Sequence, residues 1–213
     1  MSVAKDSYLS VSEFCRDEQV INKSRFITTL MPINDYDDAI DKSKAIAKEY
    51  SDATHNCYAF ISNTQATEQR FSDDGEPQGT AGIPMLEVLK KRNCCMTLAV
   101  VTRYFGGIKL GANGLVGAYS SSVSKALDKA TLVNNVWGVE CEIVCEYGYY
   151  KKVVSLVEKY EGQVVDTIYD NAVTLVAQLR EESVDEFQEK LVDLSLGKSA
   201  INIKNNGYFQ FQI

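Results

Sequence analysis

CMTLAVVTRYFGGIKLGANGLVGAYSSSVSKALDKA, residues 95–130, reads in one pass as strand, glycine loop and helix. The near-continuous apolar run Cys95–Tyr104 suits a central strand buried on both faces. Phe105–Gly114 follows as a loop, because four glycines within nine positions (Gly106, Gly107, Gly111, Gly114) interrupt any regular period. A helix from about Leu115 to Ala130 comes next, and its small residues Gly117, Ala118, Ser121 and Ser122 permit close packing.

Towards the N-terminus, FSDDGEPQGTAG at 71–82 is dense in turn formers and reads as a second loop. Pro84 then opens a helix over Met85–Arg92. Asn56–Ser62 reads as a strand. Tyr36, Ala39, Ile40, Ile46, Ala47 and Tyr50 recur at helical spacing behind an N-cap at Asn34 or Asp35. Gln19–Ile21 and Arg25–Ile33 flank Asn22-Lys23 as a hairpin.

Towards the C-terminus, Asn134-Asn135 marks a boundary where the pattern restarts, giving domains of residues 1–134 and 135–213. Val139, Cys141, Ile143, Cys145 and Tyr147 alternate on one strand face. A helix at Tyr149–Tyr160, strands at Gln163–Tyr169 and Ala172–Arg180, a helix at Val184–Leu194 and a last strand at about Tyr208–Ile213 complete the order βαββαβ. That order is ferredoxin-like, so the fold class is α+β with two domains.

At 213 residues, with 45% hydrophobic and 24% charged residues, the chain is long enough to bury one or two cores. Charged residues interrupt the first thirty positions, and no stretch approaches the roughly 20 apolar residues of a membrane span. The six cysteines show no CxxC spacing and are expected as reduced thiols in a cytoplasmic protein. Residues 1–134 hold 15 Lys/Arg against 16 Asp/Glu, a net −1, and residues 135–213 hold 7 against 13, a net −6. Residues 82–117 run the other way. Lys90, Lys91, Arg92, Arg103 and Lys109 oppose Glu87 alone, a local +4 that can hold an anion or form an ordinary solvated helix end.

The glycine loop feeding a helix N-terminus is where backbone N–H groups can meet an anion. Arg103 and Lys109 would flank it, and Gly106, Gly107, Gly111 and Gly114 would form its wall. The pattern is neither Walker A nor the dinucleotide fingerprint, and the alternative is that the glycines serve turns and packing. The loop Asp73-Asp74-Gly75-Glu76 carries three carboxylates that can clamp Arg103 or Lys109 and order the two loops against each other; it matches no EF-hand. His55 and Cys57 share a strand face, a geometry that rarely aligns a base with its nucleophile, so no catalytic residue is assigned. No metal site and no cofactor is expected. Tyr147, Tyr149, Tyr150, Phe209 and Phe211 can stack on bases, although the net −6 of their domain favours core packing.

HNCYAF at 55–60, RFSDDGEPQGTAGIP at 70–84 and VVTRYFGGIKLGANGLVGAY at 100–119 together resemble the YigZ/IMPACT family. The resemblance implies an N-terminal domain with the ribosomal protein S5 domain 2-like fold and a ferredoxin-like C-terminal domain similar to late domains of elongation factor G. It also implies an association with translation, whose control at initiation involves the eukaryotic members, so the expected partner is RNA or the ribosome. The acidic C-terminal domain could also take a basic protein partner. Where the family reads GAGGLVRAY, Asn113 replaces a glycine and Gly117 an arginine, which removes a cation from the helix. Two other classes stay open: a hydrolase-type enzyme using the acidic loop and the Arg/Lys cleft, and a protein-interaction adaptor.

Overall fold

The computed structural model describes residues 7–211, which form two compact units, Tyr8–Val133 and the residues from Asn134 onward. The first unit is built on a five-stranded antiparallel sheet of order β2-β3-β6-β4-β5, from β2 (Cys15–Ile21), β3 (Ser24–Pro32), β6 (Thr97–Tyr104), β4 (His55–Ile61) and β5 (Gln69–Ser72). β2 and β3 are joined by Asn22 (φ 46°) and Lys23 (φ 62°), the two consecutive left-handed residues that a twisted hairpin requires.

β6 lies at the centre, and both of its faces are covered. Leu98 and Val100 pack with Met31, Phe60 and the buried Ala39 and Ile46 of α1 (Tyr36–Glu49). Residues of the opposite parity, Val101 and Arg103 among them, face α2 (Gly82–Lys91) and α3 (Gly111–Lys129). Asp35 caps α1 by accepting the Asp38 N–H at 2.8 Å. β2 is tied to α3 through Gln19, whose amide donates to the Ser121 and Ser122 hydroxyls.

Local pattern and structure differ at three places in this unit. The loop expected from Phe71 begins only after Ser72, because Phe71 and Arg70 pair with Ala59 and Phe60 in β4. α3 begins at Gly111 rather than Leu115, so Gly111 and Gly114 belong to its first turn. A short strand, β1 (Tyr8–Val11), precedes β2, and its Leu9 exchanges backbone hydrogen bonds with Asn93 and Cys95.

The second unit contains β7 (Leu132–Cys145, entering from the boundary), α4 (Tyr150–Lys159), β8 (Gln163–Tyr169), β9 (Val173–Arg180), α5 (Val184–Ser195) and β10 (Ile201–Phe211). The antiparallel order β10-β7-β9-β8 is that of the ferredoxin-like arrangement. Val139, Cys141, Ile143 and Cys145 point inward onto Leu175, Leu179, Phe187 and Leu191. Tyr147 does not continue that face: β7 ends at Cys145 and Tyr147 is exposed. β10 starts at Ile201, seven residues before the expected start at Tyr208, and positions 212–213 of the expected strand lie outside the described residues.

Candidate functional site

Antiparallel pairing of β4 with β6 sets His55 opposite Arg103 and Cys57 opposite Val101, all on the face covered by α3. Beneath α3 these side chains meet the loop at 73–81. Arg103 and Glu76 are both buried, at 5% and 8% exposure, and Arg103 Nη1 donates to Glu76 Oε1 at 2.5 Å. The same oxygen accepts the Tyr119 hydroxyl at 2.7 Å. Arg103 Nη2 reaches the Ser24 hydroxyl at 3.3 Å, and the guanidinium lies 5.4 Å from the Phe26 ring and 5.5 Å from that of Phe105. The acidic loop therefore clamps Arg103 through Glu76; Lys109 takes no part.

The two aspartates have different tasks. Asp73 accepts the backbone N–H groups of Gly79, Ala81 and Gly82, at 2.8, 3.0 and 2.8 Å, and so caps the start of α2 from a distance. Asp74 accepts the Asn56 N–H at 2.5 Å, and its own carbonyl lies 2.7 Å from His55 Nδ1. A carbonyl oxygen only accepts, so Nδ1 carries the hydrogen and Nε2, 3.8 Å from Glu76 Oε2, carries the lone pair. Asp74 (φ 41°) and Gly75 (φ 84°) turn left-handed in succession to bring that carbonyl to the ring.

Cys57 is held as a buried thiol. Its thiol donates to the Asp73 carbonyl at 2.9 Å, and burial, reinforced by Glu76, Asp74 and Asp73, pushes it up to about 12. Burial likewise drives the Tyr119 phenol far above its ordinary range, keeping it a donor to Glu76. Among the described residues no group of three or more His, Cys, Asp and Glu side chains is placed to hold a metal ion.

A pocket of about 450 Å³ opens beside this network, lined by His55, Glu76 and Arg103 together with Phe105, Lys109, Leu110, Gly111 and Ala112. Of the four loop glycines only Gly111 lines it. Gly106 instead packs on the backbone of Lys23; Gly107 (φ 84°) and Gly111 (φ 71°) are left-handed; Gly114 sits against Leu110. Among the described residues no side chain caps the N-terminus of α3, and no acidic residue occupies its first turn.

The local excess of +4 shrinks in three dimensions. Two carboxylates from outside the segment offset it, Glu76 on Arg103 and Asp128 on Arg92 at 2.7 Å, while Lys90 pairs at 3.1 Å with Glu87, which the excess already counts. Arg103 therefore does not serve as the flanking surface cation read from the sequence, because its charge is buried and matched. Lys109 is exposed and makes no ion pair among the described residues. A larger cavity of about 650 Å³ in the second unit contains Arg180, which pairs with Glu161 at 3.1 Å and lies over Phe211.

Residues 22–127 match the family profile of the Impact N-terminal domain, and residues 143–198 that of a domain of unknown function, DUF1949. The IMPACT family member YvyE of Bacillus subtilis is 40% identical over 195 residues, covering 92% of this chain and 90% of the relative. The chain belongs to the IMPACT family. YigZ of Escherichia coli, another IMPACT family member, is 38% identical over 183 residues, 83% of this chain and 88% of its own. A solved structure described as that of a hypothetical protein superposes with a TM-score of 0.60 at 34% identity, covering 94% of this chain and 98% of that one. No helix among the described residues is long and apolar enough to cross a membrane.

Within this IMPACT protein, Gly117 sits exposed inside α3, with open space where an alanine methyl would lie. Gly117→Ala should therefore raise stability by about 0.5–1 kcal/mol, read as a higher urea midpoint at unchanged slope. An unchanged or lower midpoint would show that the helix needs glycine there.

Proposed function

We propose that this IMPACT family member is a translation-associated, cytoplasmic protein that binds single-stranded RNA, or RNA on the ribosome, through the pocket under α3. The observation that carries the reading is the pocket that the uncapped first turn of α3 lines together with Lys109, which makes no ion pair among the described residues. A phosphate there meets backbone N–H donors and one cation, and the half-exposed ring of Phe105 offers a face on which a base can stack. With Arg103, Lys90 and Arg92 paired, the described residues around the pocket form no extended basic stripe. Such a site grips one or two phosphates rather than tracking a long backbone.

The test is binding of a short labelled single-stranded RNA, and co-sedimentation with ribosomes, at two salt concentrations. Affinity should fall with salt, and Lys109→Ala should weaken binding and flatten the salt slope by about 1. Equal binding by the variant, or no binding at low salt, would sink the proposal.

A further inference from the structure

We infer that the pocket is also a catalytic centre in which His55 acts as general base for transesterification of bound RNA, an inference that rests on the RNA-binding reading. The ring is held in one orientation, with Nδ1–H on the Asp74 carbonyl. That carbonyl is fixed in turn by the left-handed pair Asp74-Gly75 and by backbone groups bonded to both aspartate carboxylates. Nε2 is thereby left to carry the lone pair of the neutral ring.

The nearest carboxylate oxygen, Glu76 Oε2, stands 3.8 Å from Nε2. That is too far for a hydrogen bond and close enough to stabilise the positive charge the ring gains on taking a proton. Glu76 itself cannot swing away, since its other oxygen accepts from Arg103 and Tyr119. The same pocket is lined by Lys109 and by Gly111 and Ala112 at the N-terminus of α3, groups that stabilise negative charge growing on a phosphate as it becomes five-coordinate. A base and anion-stabilising groups lining one pocket are what a phosphodiester with an adjacent hydroxyl requires.

The step balances with the groups named. Nε2 takes the proton of a ribose 2′-hydroxyl, the 2′-oxygen bonds to the adjacent phosphorus, and the bond from phosphorus to the 5′-oxygen breaks. The leaving oxygen takes a proton from water, and the imidazolium returns its own to solvent. The products are a 2′,3′-cyclic phosphate and a 5′-hydroxyl.

The experiment uses the full chain, a short 5′-labelled single-stranded RNA and the same sequence with every 2′-hydroxyl methylated. The expected result is binding of both, with cleavage of the unmethylated strand alone to a cyclic phosphate end. His55→Ala should cleave at least about 100-fold more slowly, and added imidazole should restore part of the rate, which a structural role for the ring would not allow. His55→Gln, which fills the site but cannot accept the proton, carries the test if the alanine variant does not fold. Binding of both strands without cleavage overturns this inference and leaves the RNA reading standing. Cleavage by the His55 variants at the rate of the unaltered protein also overturns it. Failure to bind either strand overturns both.

Discussion

Arg103→Ala is expected to destabilise the first unit by about 3–5 kcal/mol, read as a large fall in the urea midpoint. Its guanidinium lies 5.4 Å from the Phe26 ring and 5.5 Å from the Phe105 ring and is the charge partner of a carboxylate that is 3% exposed in its side chain. Removing the arginine leaves Glu76 buried with the Tyr119 hydroxyl as its remaining close donor, and opens a void beside two aromatic rings. Most of the loss reflects an uncompensated buried charge rather than the net worth of the pair. Glu76→Leu combined with Arg103→Met should therefore be markedly more stable than Arg103→Ala alone, since no lone charge remains. A loss below about 1 kcal/mol in Arg103→Ala, or a double variant no better than it, would refute this account. The same physics disqualifies Arg103→Ala as a probe of anion binding, because it would report unfolding; Lys109→Ala is the clean probe.

Much of the architecture is legible in the residues because local signals and tertiary needs agree. The alternation at 139–145 places the inward face of β7 correctly, and Asn22-Lys23 supplies the hairpin turn. The run at 97–104 is buried on both faces because α1 covers one side of β6 and α2 with α3 the other. Where reading fails, the cause lies in partners distant in sequence. β5 has ordinary loop composition and becomes a strand only because β4 offers it a free edge. β1 is too short to show a period, and its hydrogen bonds go to residues more than eighty positions away.

The site was half visible. Composition marks the loop at 73–76 as acidic, and the clamp between it and Arg103 follows from simple charge pairing. Composition does not say that Asp73 is spent on three backbone N–H groups, that Asp74 uses its carbonyl on His55, or that Glu76 alone of the three reaches the pocket. The residue most easily missed is His55. On the strand it looks like a neighbour of Cys57, yet its ring bonds to a loop nineteen positions away. The available signal is the spacing of β4 and β6: once they pair antiparallel, the only histidine of the chain lies opposite Arg103.

Gly106→Ala should cost more than about 4 kcal/mol, enough to leave much of the protein unfolded or insoluble. A methyl at this position would lie 2.0 Å from the carbonyl carbon and oxygen of Lys23 and 2.5 Å from the Ser24 nitrogen. All three are backbone atoms in the hairpin turn, so no side-chain rotation relieves the overlap. Separating the two segments also breaks the bond from the Gly106 N–H to the Ser24 hydroxyl, and that hydroxyl holds Arg103 as well. The damage thus passes from a surface loop into the buried ion pair. Gly107→Ala is the control. Its methyl meets nothing within 4 Å, and only the left-handed backbone at φ 84° opposes it, a cost of about 1–2 kcal/mol. Equal losses in the two variants would show that loop conformation, rather than close approach to Lys23, sets the requirement for glycine. The predicted order instead makes Gly106 the fixed point from which the loop carries Lys109 to the pocket.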